Sequence, residues 1–180
     1  MLNKKLFFKP LTGLLLLLCL VPVTLNPGPE RYWFQSQQAR AEQFFLDYHC
    51  MVEALWFEAR NDNEIGKRAV ATVIINRVQS PRFSNTICGV IQQHMQFSYR
   101  NRLKNRKAIL QPKPQPSEKT KLEMIKSIAY EVASGKFKPV LPSNVLWYHT
   151  YSVNPVWNRK MKAVMLPGSK HVFLKGNDRG

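Results

Sequence analysis

The pattern of apolar and polar positions is organised around one stretch, Cys50 to Tyr99, and within it around Glu58. Wound at about 100° per residue, Met51-Val52-Glu53-Ala54-Leu55-Trp56-Phe57-Glu58-Ala59-Arg60 puts Met51, Ala54, Leu55 and Glu58 on one face. Glu53 falls nearly opposite, on the outer side. Asp47 is placed to cap this helix, which is expected to end near Arg60. Residues 30–46 before it read as a polar, Gln-rich lead-in that turns helical near Ala39. After it, Asn61 and Asn63 both qualify as the cap of a second helix, running from about Glu64 to Val78. That helix is apolar on most sides, through Ile65, Ala69, Val70, Ala71, Val73, Ile74, Ile75 and Val78, so it is expected to be buried. Thr72 and Asn76 share one of its faces. A buried Asn must be hydrogen-bonded, so Asn76 either holds the chain around Glu58 or touches substrate.

The pattern then loosens. Ser80 to Asn85 has turn chemistry, and Thr86 to Ile91 is a short apolar run, helix or strand. Gln96-Phe97-Ser98-Tyr99 alternates polar and aromatic residues in an expected extended loop. Such combinations suit a sugar cleft, where rings stack on sugar faces and short polar groups bond hydroxyls; the alternative is a plain loop with both rings packed inward. Residues 100–116 are rich in Arg and Lys and end in alternating prolines, which reads as an exposed, mobile basic flap. Ser117 to Ser134 carries a helical stripe of Leu122, Ile125, Ile128, Ala129 and Val132, with Gly135 placed to end it. Val145–Thr150 and His171–Leu174 read as strands, separated by Pro155-Val156-Trp157 and the basic Arg159, Lys160 and Lys162. The fold class expected is α+β, mostly α, with a small β element, in one domain.

Length and charge narrow this picture. The 180 residues suit one domain rather than two. The net charge of +16 is uneven: 10 basic and 7 acidic residues lie in 1–99, 17 basic and 4 acidic in 100–180. A basic half needs an anionic partner or surrounding, and nucleic acid, anionic lipid and acidic wall polymers all qualify. At the N-terminus, Lys4, Lys5 and Lys9 precede an apolar stretch from Leu11 to Leu25. This fits a signal peptide better than a membrane span of about 20 residues, with an uncleaved signal anchor as the other option. Residues 1–29 are therefore set aside as signal or anchor, 30–46 as lead-in, and 47–180 as the functional domain. Export leaves Cys50 and Cys88 as an even pair, expected to form a disulfide, with two buried free thiols as the alternative.

Candidate chemistry is sparse. His49, His94, His149 and His171 make no HExxH or CxxC spacing, so no metal and no cofactor is expected from motifs. Nucleophile-elbow, phosphate-loop and dinucleotide patterns are missing too. Glu58 stands out as a carboxylate on an apolar stripe. Burying a charge is costly, and the least costly response is a raised pKa, which makes a general acid. The bland reading is a solvated residue at a fraying helix end, or one paired with Arg60 or Arg68. A glycosidase normally needs a second carboxylate. The nearby candidates, Asp62 and Glu64, read as helix-start residues, so a one-carboxylate mechanism with an internal hydroxyl in place of water fits better.

An ordered set of motifs now stands out: Trp56-Phe57-Glu58-Ala59-Arg60, Gly66, Ala69 through Val78, Ser80-Pro81-Arg82-Phe83, Ile87-Cys88-Gly89-Val90-Ile91 and Gln96-Phe97-Ser98. Together they resemble the spore-cortex-lytic, or cell-wall-hydrolase (SleB-type), family over roughly Cys50 to Tyr99. The tail, with Trp147-Tyr148-His149, Pro155-Val156-Trp157 and His171-Val172-Phe173, resembles the family more loosely. Where that family has Gly-Glu after Glu-Ala-Arg, this chain has Asn61-Asp62. Where it has a small residue before the Glu, this chain has Phe57. The resemblance implies a lysozyme-like, lytic-transglycosylase-like domain that cuts peptidoglycan glycan strands. It implies Glu58 as catalytic acid/base; on that reading Gln96, Phe97, Ser98 and Tyr148 are expected to line the cleft, and Asn76 is a further substrate-binding candidate. The expected setting is the periplasm or cell envelope, as a monomer with possible inner-membrane anchoring and no specific nucleic acid. The alternatives are an N-acetylmuramoyl-L-alanine amidase on the same polymer and a non-enzymatic basic wall-binding module.

Overall fold

The computed structural model describes residues 29–153 and 155–176, so the expected signal or anchor segment, apart from its last residue Pro29, lies outside the described residues. Four helices come first in the chain: α1 (Pro29–Ala59), α2 (Glu64–Gln79), α3 (Ile87–Gln92) and α4 (Lys119–Ala133). Three strands follow, β1 (Val145–Thr150), β2 (Lys162–Met165) and β3 (His171–Lys175), as an antiparallel sheet ordered β1-β3-β2. The fold is thus mostly helical with one small sheet, as expected.

The buried core is centred on α2, whose Ala69, Val70, Ala71, Val73 and Ile74 are all fully covered. Helix α1 contributes Cys50, Met51, Ala54 and Leu55, and α4 contributes Ile125, Ile128 and Ala129. Asn63, not Asn61, caps α2, its side chain accepting from the Gly66 amide at 2.9 Å. Gly66 is required where it stands, because a Cβ there would come within 2.3 Å of the Asp62 carboxyl group. Thr86 caps α3, which settles that run as a helix. Gly135, at φ +70°, ends α4. Cys50 and Cys88 are joined as a disulfide that staples α1 to α3, with Cα atoms 5.3 Å apart.

Several expectations are corrected. Helix α1 does not begin at Asp47: it is continuous from Pro29, and Asp47 accepts a hydrogen bond from Gln43 one turn earlier at 2.8 Å. A potential cap in mid-helix simply finds a helical neighbour instead. Glu53 is not on an outer side. It is completely buried, because the segment after Tyr99 folds back over that face of α1. The same contact shows that residues 100–116 are not merely a solvated flap: Arg100 pairs with Glu53, and the Leu110 amide donates to Glu53 Oε2 at 2.7 Å. Strand β2 falls within a basic stretch that carries no strand pattern.

Candidate active site

Helix α2 sets up the site from behind. The Asn76 amide donates to the carbonyls of Pro142 (2.8 Å) and Val145 (3.0 Å), and Arg77 Nε donates to Leu146 O at 2.8 Å. Thr72 Oγ accepts from the Val140 amide at 3.1 Å. These bonds tie the start of β1 to the buried helix and so fix Tyr148. The Tyr148 hydroxyl donates to Glu58 Oε2 at 3.3 Å, joining the sheet to the last turn of α1. Around this contact is a cleft of about 360 Å³, lined by Glu58, Arg77, Gln96, Ser98, Tyr148 and His171, among others.

The electrostatics of the cleft follow from burial. Burial pushes the Glu58 carboxyl above its usual range; the Tyr148 hydrogen bond and the charge of Arg77 pull it back only in part. None of the ion pairs among the described residues involves Glu58, so neither Arg60 nor Arg68 takes it up. Arg60 reaches Glu118 and Arg68 reaches Glu64 and Glu131. Tyr148 is raised far above an ordinary phenol by burial and by the nearby Glu58 charge, and so it remains a donor. Arg77 is buried among the rings of Phe83, Phe97 and Tyr148, with one guanidinium nitrogen, Nη1, unpartnered. Burial lowers its affinity for its proton, while Tyr148 and Glu58 act in the opposite sense.

The structure sorts the substrate-binding candidates. Gln96, Ser98 and Tyr148 line the cleft beside Glu58. Phe97 does not: it is 1% exposed and belongs to the core. The alternation in residues 96–99 therefore sends the polar groups to the cleft and the rings inward, Tyr99 bonding to Glu53 and stacking on Phe57 at 4.7 Å. Asn76 is also outside the cleft, because both bonds of its amide go to backbone carbonyls. Three residues of the site were missed in the sequence. Arg77 looked like one more position of a buried helix. Asp62 looked like a helix-start residue, yet it is buried behind the cleft and accepts from Ser169 Oγ (2.9 Å), the Lys170 amide (3.0 Å) and the Asn63 amide (2.8 Å). His171 meets Asp62 at 2.8 Å across 109 residues of sequence, a pairing no local signal announces. Among the described residues no cluster of three or more His, Cys, Asp or Glu is arranged to hold a metal ion.

With this geometry, the decisive comparison is with protein families. The sequence model of the family described as cell wall hydrolase matches residues 61–174. The chain belongs to the cell wall hydrolase family. Among curated cell wall hydrolase relatives, the spore cortex-lytic enzyme of Bacillus subtilis (strain 168) is 38% identical over 52 residues, which is 29% of this chain and 17% of that protein. The corresponding enzyme of Halalkalibacterium halodurans is 40% identical over 52 residues, 29% of this chain and 16% of that protein. The chain thus matches only about a sixth of the length of these relatives. Solved structures extend the likeness over more of the fold. The catalytic domain of the Bacillus cereus SleB protein superposes with a TM-score of 0.53 at 28% identity, covering 72% of this chain and 89% of that one. The catalytic domain of the germination-specific lytic transglycosylase SleB from Bacillus anthracis gives 0.50 at 26% identity, covering 72% and 93%.

Proposed function

We propose that this cell wall hydrolase cuts the glycan strand of peptidoglycan between N-acetylmuramic acid and N-acetylglucosamine by lytic transglycosylation, with Glu58 as the proton donor. The observation that carries this reading is the setting of Glu58: a carboxyl that faces an open cleft, is bonded by Tyr148, and has its pKa raised by burial. Such a group can protonate the glycosidic oxygen as the C1–O bond breaks. No second carboxylate is among the residues lining the cleft, which favours attack by the 6-hydroxyl of the muramic acid itself and a 1,6-anhydro product. Gln96 and Ser98 bond the sugar, and the free Nη1 of Arg77 supplies a buried donor at the floor. The likeness to a structure called a lytic transglycosylase supports the same class of reaction.

The disulfide supports action outside the cytoplasm, where such bonds persist. No helix of the described residues is long and apolar enough to cross a membrane. The test is mass spectrometry of purified peptidoglycan digested by the protein, beside Glu58→Gln. Anhydro-muropeptides from the wild type alone support the proposal. Reducing ends in their place make the protein a hydrolytic muramidase, and free stem peptides make it an amidase.

A further inference from the structure

The proposed reaction leaves one proton without a dedicated acceptor. As O6 forms its bond to C1, the hydroxyl must lose its hydrogen, and the only acceptor considered so far is Glu58 itself. The cleft contains a second candidate. His171 forms part of the cleft wall, yet its side chain is only 4% exposed and that of the Asp62 behind it only 1%. Burial would raise the Asp62 carboxyl. Bonds from His171, the Lys170 amide, Ser169 and the Asn63 amide outweigh this and hold it below its usual range. A buried anion at Nδ1 fixes the proton of the neutral imidazole on that nitrogen. Nε2 is then a free acceptor, and no described residue donates to it. The ring is locked further by Tyr148, which packs edge-on against it at 5.3 Å and 88°. The same Tyr148 bonds Glu58, so one side chain spaces the acid from the imidazole.

We propose that His171, oriented by Asp62, is the general base of the reaction, taking the proton of the attacking hydroxyl while Glu58 supplies the proton to the leaving oxygen. This rests on the glycan-cleaving reading above. The step balances. C1–O breaks and the leaving oxygen takes the Glu58 proton; O6–C1 forms and the O6 proton passes to Nε2. The resulting imidazolium is paired with the Asp62 carboxylate, and its proton returns to Glu58 through solvent. The arrangement follows the logic of an acid–base–carboxylate relay in which the carboxylate sets the tautomer and stabilises the charged imidazole. The titratable and charged groups around His171 are Asp62 on the α1–α2 turn, Tyr148 and His149 on β1, and Glu58 and Arg77, which line the same cleft, with Lys170 beside it in sequence. Lys67 reaches the Asp62 carbonyl from α2.

The test uses the full chain on purified peptidoglycan, with anhydro ends counted over time. His171→Asn keeps an N–H where Nδ1 was and so retains the bond to Asp62, but it removes the acceptor from the cleft. Its kcat is expected to fall about 10²-fold with KM little changed. Asp62→Asn, which releases the tautomer, is expected to cost at least about tenfold in kcat. A folded His171→Asn with kcat within threefold of wild type overturns the proposal. If either variant does not fold, the wild-type kcat–pH profile between about pH 4 and 8 decides. The proposal requires a profile with an ascending as well as a descending limb, because the base acts unprotonated and Glu58 acts protonated. A profile that only descends overturns it. Absence of any glycan product from wild type, or full activity in Glu58→Gln, would instead defeat the underlying reading.

Discussion

Two glutamates five residues apart on α1 have opposite fates. Glu53 is completely buried, yet every oxygen is answered: Arg100 and the Tyr99 hydroxyl meet Oε1, and the Leu110 amide meets Oε2. Glu58 is less buried but faces an open cleft with one long bond from a phenol. The first is an anchor that pins residues 99–110 to the helix. The second is a group whose charge the protein disfavours. Depth alone does not make a carboxyl reactive; what matters is whether its charge has been matched.

Breaking the anchor should have the largest effect. Glu53→Ala leaves Arg100 buried without its anion and is expected to cost about 3–5 kcal/mol of stability, read by urea denaturation. Glu58→Gln should do the reverse, sparing the fold while lowering glycan cleavage about 10²–10⁴-fold, read by release of muropeptides. Reduction of Cys50–Cys88, or Cys50→Ser, should cost about 2–4 kcal/mol, read as a lower midpoint of unfolding. Tyr148→Phe should lower the rate only about threefold to tenfold. Because the Tyr148 bond lowers the Glu58 pKa, its loss should also move the descending limb of the rate profile to higher pH.

A pH titration sharpens the contrast. The folded state raises the Glu58 pKa above its ordinary value of 4.5, so the folded protein binds that proton more tightly than the unfolded chain does. Stability from this group is fully present below that ordinary value. It is lost as pH rises through the raised pKa. Wild type and Glu58→Gln should therefore diverge in stability as pH rises above the ordinary value, with Glu58→Gln the more stable near neutral pH. Equal pH dependence of the two would mean that the cleft solvates Glu58 after all.

Much of the helical half was legible because its evidence is local. The apolar surround of α2 predicts burial, and Ala69 to Ile74 are buried. The Cys50–Cys88 pair and the two strand-like runs also appear in the structure. What was not legible depends on distant chain. A helical wheel places Glu53 opposite Glu58 correctly but cannot see residues 99–110 arriving to cover it. Phe97 and Ser98 are neighbours at the start of a short 3-10 helix, Ser98–Arg100, where an extended loop was expected, and only the packing shows which faces the core. Asp62 reads as a cap until Ser169, Lys170 and His171 close on it from the far end of the chain. Strand β2, with Lys162 and Met165 exposed, owes its form to pairing with β3 rather than to its own pattern.

The unbroken α1 has a mechanical consequence. Its 31 residues make a rod of roughly 46 Å at 1.5 Å per residue. Residues 34–43 are exposed along it, and no Pro or Gly interrupts it after Pro29. Glu58 is in its final turn. The projecting end and the reactive carboxyl are thus two ends of a single lever, without the swivel that a Gly- and Ser-rich linker would supply. Whatever grips the projecting end sets the angle at which the cleft meets its polymer.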